Sequence, residues 1–353
     1  MNVLSLFDGI SCGQIALNKL QIPINNYYAS EIDRYAIAVT QYHYPKTIQL
    51  GDVCNIKPDK LPTIDILMGG SPCQGFSKSG SGLNFNDPRS RLFFEFVRIL
   101  EEVKPTYFLL ENVGMKKEWR DTITQIMKVE PHEINSSLVS AQNRFRLYWT
   151  NIPNIVDPSD KHIFIKDIIE HDKENKMYNS INYLKYSYVP INNTVNIVGN
   201  IYPKTGQNGN IYDISGKSKT LSAGTGIRGR GIGSSNAPKV KVNSHNCKQV
   251  GIANINGHDI LKRIYDINGK CPTVNSMNGG NREPKIAINN IRWRRLSPLE
   301  CERLQTIPDN YTLVPFNKKM MSDTQRYKMI GNGWTVDVIT HILSFIKEQN
   351  NVE

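Results

Sequence analysis

No stretch of the 353-residue chain is apolar for the about 18 residues that a membrane-spanning helix needs, so none is expected. Residues 1–17 carry Asp8, Gly9 and Gly13, with no basic leader ahead of a long apolar run, a pattern unlike a secretory signal. The six cysteines, Cys12, Cys54, Cys73, Cys247, Cys271 and Cys301, are scattered without a CxxC pair. That spacing argues against a disulfide framework and a clustered zinc site, so no metal is expected and the thiols other than Cys73 read as reduced cytosolic ones. GxGxxG is missing as well, which disfavours binding of dinucleotide phosphates. What remains is a chain of ordinary apolar content, 39%, long enough for a large core and two domains.

Positive charge is in excess, but in one place. The net charge is +11. Residues 176–290 hold 15 Lys/Arg against 4 Asp/Glu, whereas the rest of the chain holds 28 of each. The segment is either a solvated basic face or a polyanion-binding unit beside a charge-balanced one. The composition changes at the same place, which favours the second reading.

Over residues 1–150 short apolar runs alternate with helix-like stretches. Residues 3–6, 27–30, 64–68 and 107–110 read as buried strands. Residues 13–20, 34–42 and 91–103 read as helices, the last with Phe94, Val97 and Leu100 on one face and Pro105 behind it. Continuously apolar strands alternating with helices imply an α/β fold, a doubly wound parallel sheet covered on both faces. From about 176 helical periodicity disappears, and Gly, Asn, Ser and Lys dominate a second, smaller, β-rich unit.

That unit repeats itself. Residues 211–221 (IYDISGKSKTL) recur as 264–274 (IYDINGKCPTV). Each copy is followed by a glycine-rich stretch, 224–233 or 279–280, and then by Pro238-Lys239 or Pro284-Lys285. Two similar hairpins would place two basic loops on one surface; the plainer account is a good hairpin sequence used twice. Ser297-Pro298-Leu299-Glu300 reads as a helix start, with Ser at the N-cap and Pro in the first turn. An amphipathic helix at about 335–348 is expected to return to the first domain.

Residues 7–13 (FDGISCG) follow a strand and open a helix, at the first βα crevice of a doubly wound sheet. Glu31 ends the second strand, where an acid commonly takes ribose hydroxyls, and Asp52 follows a third strand. Together they favour an adenosyl ligand without phosphates, and S-adenosylmethionine fits.

Residues 69–77 (GGSPCQGFS) put Cys73 on a tight loop behind the strand at 64–68. Glu111-Asn112-Val113 closes the apolar run at 106–110, and Gln142-Asn143-Arg144-Phe145-Arg146 follows. A thiol, a carboxylate and two guanidiniums, each at or beyond a strand end, suit addition of a nucleophile to a polar heteroaromatic ring. Singly, each has a bland account: a buried thiol, a helix cap, a solvated surface. In the order FDGxxxG, GGSPCQ, ENV, QxRxR, RLSPLExxRLQxxP and GNGW, they resemble the DNA (cytosine-5)-methyltransferase family over roughly 1–150 and 291–345.

The resemblance implies a Rossmann-like methyltransferase sheet with a smaller β-rich target-recognition domain, and S-adenosylmethionine as cofactor. It places Phe7 against adenine, Glu31 on the ribose with Ile32 beside it, and Asp52 at the adenine amino group beside Val53. Gly9, Ser11, Gly13, Leu92, Asn332 and Trp334 complete the pocket. A tryptophan at 334 is similar to the eukaryotic de novo-type branch; core packing at the domain seam is its plainer account. Cys73, after Pro72, is implied as the nucleophile that adds to cytosine C6, making C5 reactive. Glu111 is implied as the acid at N3, Arg146 as the holder of O2, Arg144 as the residue ordering the loop, and Asn112 as the support of the Glu111 backbone.

The family flips its target base, at a cost of about a few kcal/mol. Gln74, Ser77 and Arg89 are expected to meet DNA from the nucleophile loop, with 81–89 closing over the base. Arg228, Arg230, Arg263 and Arg282 are candidates for guanine contacts, and Lys219, Lys239, Lys248 and Lys270 for the backbone. Thr273-Val274 resembles the family's Thr-Leu pair. The expected division is 1–178 plus 320–353 for catalysis and 179–319 for target recognition. The expected partner is double-stranded DNA and not a membrane, with a cognate restriction endonuclease acting separately. A monomer in the bacterial cytoplasm, associated with the nucleoid, is the expected state. The alternatives are a tRNA cytosine-5 methyltransferase of the same fold and a catalytically inert DNA-binding homologue.

Overall fold

In the computed structural model, residues 1–71, 91–170, 178–179, 181–183, 197–200, 210–213, 239–241, 247, 249–253, 255, 257–274, 282–287 and 292–349 are described. The first strands and helices are β1 (Asn2–Leu6), α1 (Cys12–Lys19), β2 (Asn26–Ser30), α2 (Arg34–His43), β3 (Ile48–Gln49), β4 (Ile66–Gly69), α3 (Arg91–Val103), β5 (Tyr107–Val113), α4 (Lys117–Met127), β6 (His132–Asn135), β7 (Gln142–Asn143) and β8 (Phe145–Thr150). Seven of these strands form one sheet in the order β3-β2-β1-β4-β5-β8-β6. The five from β3 to β5 are parallel; β8 is antiparallel to both β5 and β6. The expected parallel sheet therefore has a reversed edge.

Side-chain alternation explains why both faces are covered. On β1, Val3 joins one apolar core and Leu4 and Leu6 the other; on β4, Ile66 and Met68 face one and Leu67 the other. The first core lies under α1 and α2; the second lies under α3 and α4. From β1 the chain winds to β2 and β3 on one side, then returns to β4 and β5 on the other. The carboxyl ends of β1 and β4 thus form the switch point where ligands bind in such sheets.

The basic segment contributes β9 (Tyr178–Asn179), β10 (Ile181–Tyr183), β11 (Ile197–Asn200), β12 (Asn210–Asp213), β13 (Lys239–Lys241), β14 (Gln249–Ala253), α5 (Asp259–Lys262), β15 (Arg263–Tyr265), β16 (Cys271–Pro272), β17 (Lys285–Ala287) and β18 (Arg292–Arg295). Six of them form the sheet β10-β14-β15-β17-β18-β9, and three the sheet β11-β12-β13. The repeated strings are not hairpins. Each IYD strand, β12 or β15, pairs in parallel with the strand that begins after Pro238 or Pro284.

The chain then returns through α6 (Pro298–Leu304), β19 (Pro315–Phe316), β20 (Lys319–Met320), α7 (Asp323–Asn332) and α8 (Val336–Gln349). The start of α6 is as expected: Ser297 Oγ accepts from Glu300 N, and Glu300 Oε2 accepts from Ser297 N. Glu300 is fully buried and pairs with Arg294 of β18 at 2.7 Å, which locks the six-stranded sheet to α6. Ile307, Tyr311 and Val314 already belong to the core beneath α1, together with Ile339, Ile342 and Ile346 of α8. Among the described residues no helix is long and apolar enough to cross a membrane, no His/Cys/Asp/Glu cluster could hold a metal, and the cysteines are free.

Candidate active site

The turn after β1 is tightly coiled. Phe7, Gly9 and Ser11 all have positive φ, 56°, 59° and 62°. Asp8 N donates to Ser30 O at 3.0 Å, holding the turn against the end of β2. Gly9 N donates to Glu31 Oε2 at 2.8 Å, while Glu31 Oε1 accepts from Ile32 N and Asp33 N at 2.7 and 2.8 Å. Asp52 Oδ1 caps the next turn by accepting from Cys54 N at 2.9 Å. No atom lies within 4 Å of the point where a Cβ on Gly9 or Gly51 would stand, and Ile32 is 76% exposed. The ends of β1, β2 and β3 thus frame an open recess with a glycine floor, an acid and an apolar side chain at its rim. It fits an adenosyl group that brings no phosphate.

Three of the expected cofactor residues are not turned toward that recess. Ser11 is fully buried and its Oγ accepts from Gln14 Nε2. Val53 is buried in the core under α3. A Cβ on Gly13 would stand 2.4 Å from Met68 Sδ, so glycine is needed there for α1 to lie on β4. Leu92 packs along the edge of the core under α3, and Asn332 is exposed. Residue spacing did not mark Asp8 as a partner: Tyr27 Oη donates to its Oδ1 at 2.8 Å, and its Oδ2 is buried without a hydrogen bond. Burial raises the Asp8 carboxyl to about 6, opposed by the hydrogen bond from Tyr27.

At the second switch-point loop, the end of β4 meets the end of β5. Glu111, 9% exposed, is held from two sides. Arg146 Nε lies 2.9 Å from Oε1, an ion pair approached off the N–H axis, and Trp334 Nε1 donates to Oε2 at 3.2 Å. A Cβ on Gly70 would stand 2.9 Å from that same Oε2 and 2.8 Å from Trp334 Nε1. The chain that leads into 72–90 therefore passes in contact with the carboxylate. Asn112 is buried; its Nδ2 donates to Ser71 Oγ at 3.3 Å and its Oδ1 accepts from Val113 N at 2.8 Å. The tryptophan contact joins residues 223 positions apart, which spacing could not reveal.

Arg144 points the other way. It is buried, and donates to Val274 O at 3.1 Å, Gly333 O at 3.0 Å and Gly331 O at 3.5 Å. Burial, with Arg146 nearby, lowers its guanidinium to about 10, which leaves it charged at neutral pH. It ties together the recognition segment, β8 and the loop before α8. Thr273 Oγ1 donates to Asn143 O at 2.8 Å, next to the parallel pairing of β16 with β7.

Lys270 corrects an expectation. It is 1% exposed, and its Nζ donates to Ser137 O, Ser140 O and Ile163 O at 2.8, 3.1 and 2.5 Å. A lysine enclosed by three carbonyls cannot serve a DNA phosphate. Arg263 and Arg282 are exposed. Pro72, Cys73, Gln74, Ser77, Arg89, Arg228, Arg230, Lys219 and Lys248 lie outside the described residues.

A family model described as C-5 cytosine-specific DNA methylase matches residues 1–348. The orphan methyltransferase M.SPRI of Bacillus phage SPR is 29% identical, over 97% of this chain and 96% of the relative. The type II methyltransferase M.HhaI of Haemophilus parahaemolyticus is 26% identical, over 97% and 93%. Among solved structures, the Dnmt2 methyltransferase of S. pombe superposes with a TM-score of 0.61 at 14% identity, covering 99% of each chain. A putative DNA modification methyltransferase of an E. coli prophage superposes at 0.58 with 19% identity, again over 99% of each. With the family model spanning nearly its whole length, the chain belongs to the C-5 cytosine-specific DNA methylase family.

Proposed function

We propose that the carboxylate of Glu111, with Arg146 and Trp334 on its two sides, forms the base-binding face of this S-adenosylmethionine-dependent DNA (cytosine-5)-methyltransferase. The observation that carries this reading is how close Gly70, two residues before Pro72, runs to Glu111 and Trp334: a Cβ there would stand 2.9 Å from the carboxylate and 2.8 Å from the indole nitrogen. It brings the entry of the nucleophile loop to the carboxylate.

In this reading Cys73 adds as thiolate to C6 of a flipped cytosine, and the electron pair displaced toward N3 is met by a proton at Glu111. Arg146, already paired to Glu111, holds O2 as negative charge grows on the ring. Bound S-adenosylmethionine supplies the electrophilic methyl for C5. The N3 proton then returns to Glu111, and transfer of the C5 proton to water expels the Cys73 thiolate and restores the ring. Glu31, Ile32, Asp52 and Phe7 would hold the adenosyl group. Arg144 acts as a positioning residue, since its donors are used on backbone carbonyls.

The catalytic unit comprises residues 1–170 and the return from α6 to α8, and the target-recognition unit lies between them. The protein works as a monomer on duplex DNA. Several similar phage proteins are named orphan methyltransferases, which supports modification without a cognate nuclease. Bisulfite sequencing of plasmid DNA from a methylation-free host, beside a Cys73→Ala control, tests the reading. Protected cytosines in one short motif, absent from the control, are expected. Protection found instead in cellular tRNA would overturn the DNA assignment.

A further inference from the structure

The duplication in the basic segment goes deeper than the repeated string. In the first copy β11 is antiparallel to β12, and β12 is parallel to β13; in the second, β14 is antiparallel to β15, and β15 is parallel to β17. The registers coincide. Ile211 faces Lys239 as Ile264 faces Lys285, and Gly199 faces Ile211 as Gly251 faces Ile264. Both copies have a register shift at the same step, between 197 and 199 and between 249 and 251. A hairpin sequence used twice would not reproduce a parallel partner, its register and its bulge. These are two copies of one folded unit.

The two copies sit differently. The second is built into the six-stranded sheet, and its Gly-Lys-Cys-Pro-Thr-Val stretch docks on the catalytic unit. Cys271 and Pro272 pair with Gln142 and Asn143, Lys270 fills the carbonyl cage, and Arg144 takes Val274 O. Arg144 also holds Gly333 O, next to the Trp334 that binds Glu111. The strands of the first copy form a three-stranded sheet of their own. Charge divides the same way. Residues 195–243 carry seven Lys/Arg against one Asp/Glu, and residues 248–290 carry six against three. Two of those six, Lys270 and Lys285, are 1% exposed and so lost to a polyanion.

Resting on the DNA methyltransferase reading, we infer that the two copies divide the work: the first grips the phosphates of duplex DNA, and the second, bolted down through Lys270, aligns that DNA with Glu111. Lys270 is a positioning residue in this scheme. The first copy supplies affinity, which falls with salt as neutralised phosphates recapture counterions. The second supplies the relation between bound DNA and the reacting face, which is read in the rate at saturation.

The test uses the full chain with a fluorescent duplex carrying its methylation motif, in the presence of S-adenosylhomocysteine, over a series of salt concentrations. Single-turnover methyl transfer is measured beside it. Replacing Lys217, Lys219, Lys239 and Lys241 together with Ala should raise Kd by roughly tenfold or more and flatten the salt slope by about 3. The loss should fall on Kd rather than on the saturating rate. Lys270→Met should do the reverse, lowering the saturating rate about tenfold with Kd within about threefold of wild type. Should Lys270→Met fail to fold, Thr273→Val reads the same split at smaller amplitude, and Lys270→Arg should recover part of the rate. Unchanged Kd in the four-lysine variant overturns the division, as does a Lys270 or Thr273 variant that loses DNA affinity at an unchanged saturating rate. Methyl transfer to the duplex by wild type is the control. Its failure counts against the methyltransferase reading, and the division is then decided on Kd alone.

Discussion

Trp334 donates its indole N–H to Glu111 across 223 positions of sequence, at 3.2 Å. Glu111 lies near the end of β5, and Trp334 lies between α7 and α8, so the bond joins the Glu111 carboxylate to the loop that Arg144 also grips. Trp334→Phe keeps the ring and removes the donor. A hydrogen bond to a charged acceptor contributes about 1.5–3 kcal/mol, so the saturating rate of methyl transfer should fall roughly tenfold or more. DNA affinity should stay near wild type. A rate within about twofold of wild type would reduce Trp334 to packing at the domain seam.

Arg144→Lys should be strongly destabilising although it keeps the charge. The guanidinium serves carbonyls on two separate segments, Val274 and Gly333, through two different nitrogens, a fork that the single ammonium nitrogen of lysine does not reproduce. Leaving buried carbonyls unpaired around a mismatched charge costs about 2–4 kcal/mol. Denaturant unfolding measures it. A variant with an unchanged midpoint and slope would show that the clasp does not hold the recognition segment.

The wound sheet was legible because β1, β4 and β5 are buried on both faces and leave apolar runs that short windows detect. The start of α6 was legible because Ser297, Pro298 and Glu300 each act within one turn. The reversed edge at β8 was not, since Phe145–Thr150 alternates like any strand and pairing direction leaves no local trace. The parallel partners of the two IYD strands lie some 20 to 30 positions further along the sequence, at Lys239 and Lys285, so the repeat read as a hairpin. Lys270 misled for a related reason. A lysine in a basic segment reads as solvated, and only tertiary packing brings the Ser137, Ser140 and Ile163 carbonyls around it. At the site, motif order gave Glu111, Arg144 and Arg146, but their opposite aims depend on contacts more than 100 positions away.

Asp8 predicts a pH dependence of stability in the cofactor-free protein. Its folded value is raised from 3.8 to about 6, chiefly by burial. The folded state therefore binds the proton more tightly than the unfolded one between those values. The stabilisation is complete below the unfolded value and is lost as pH rises through about 6. Asp8→Asn keeps an oxygen for Tyr27 Oη and removes the titration. The melting temperature of the variant relative to wild type should rise between about pH 4 and 6 and then level off. A difference that stays flat across that window would show that the carboxyl titrates alike in both states.

Gly70→Ala tests whether the nucleophile loop and the carboxylate are held in one geometry. The added methyl would meet Trp334 Nε1 at 2.8 Å and Glu111 Oε2 at 2.9 Å, closer than real Cβ contacts come. Relief requires either the loop at 70–71 or the indole to move, since Glu111 is fixed by Arg146. If the loop moves, Cys73 is displaced from the base-binding face, and a shift of about 1 Å is enough to lower the rate about a hundredfold. If the indole moves, the loss resembles that of Trp334→Phe. The double variant Gly70→Ala/Trp334→Ala separates the two. Removing the indole frees space on one side only, so the rate should recover to that of Trp334→Ala alone if the indole was the obstacle. It should stay far below that level if Glu111 and the loop are the pair in conflict. Recovery to the Trp334→Ala level would count against a direct coupling of loop and carboxylate, and single-turnover rates of the four proteins decide it.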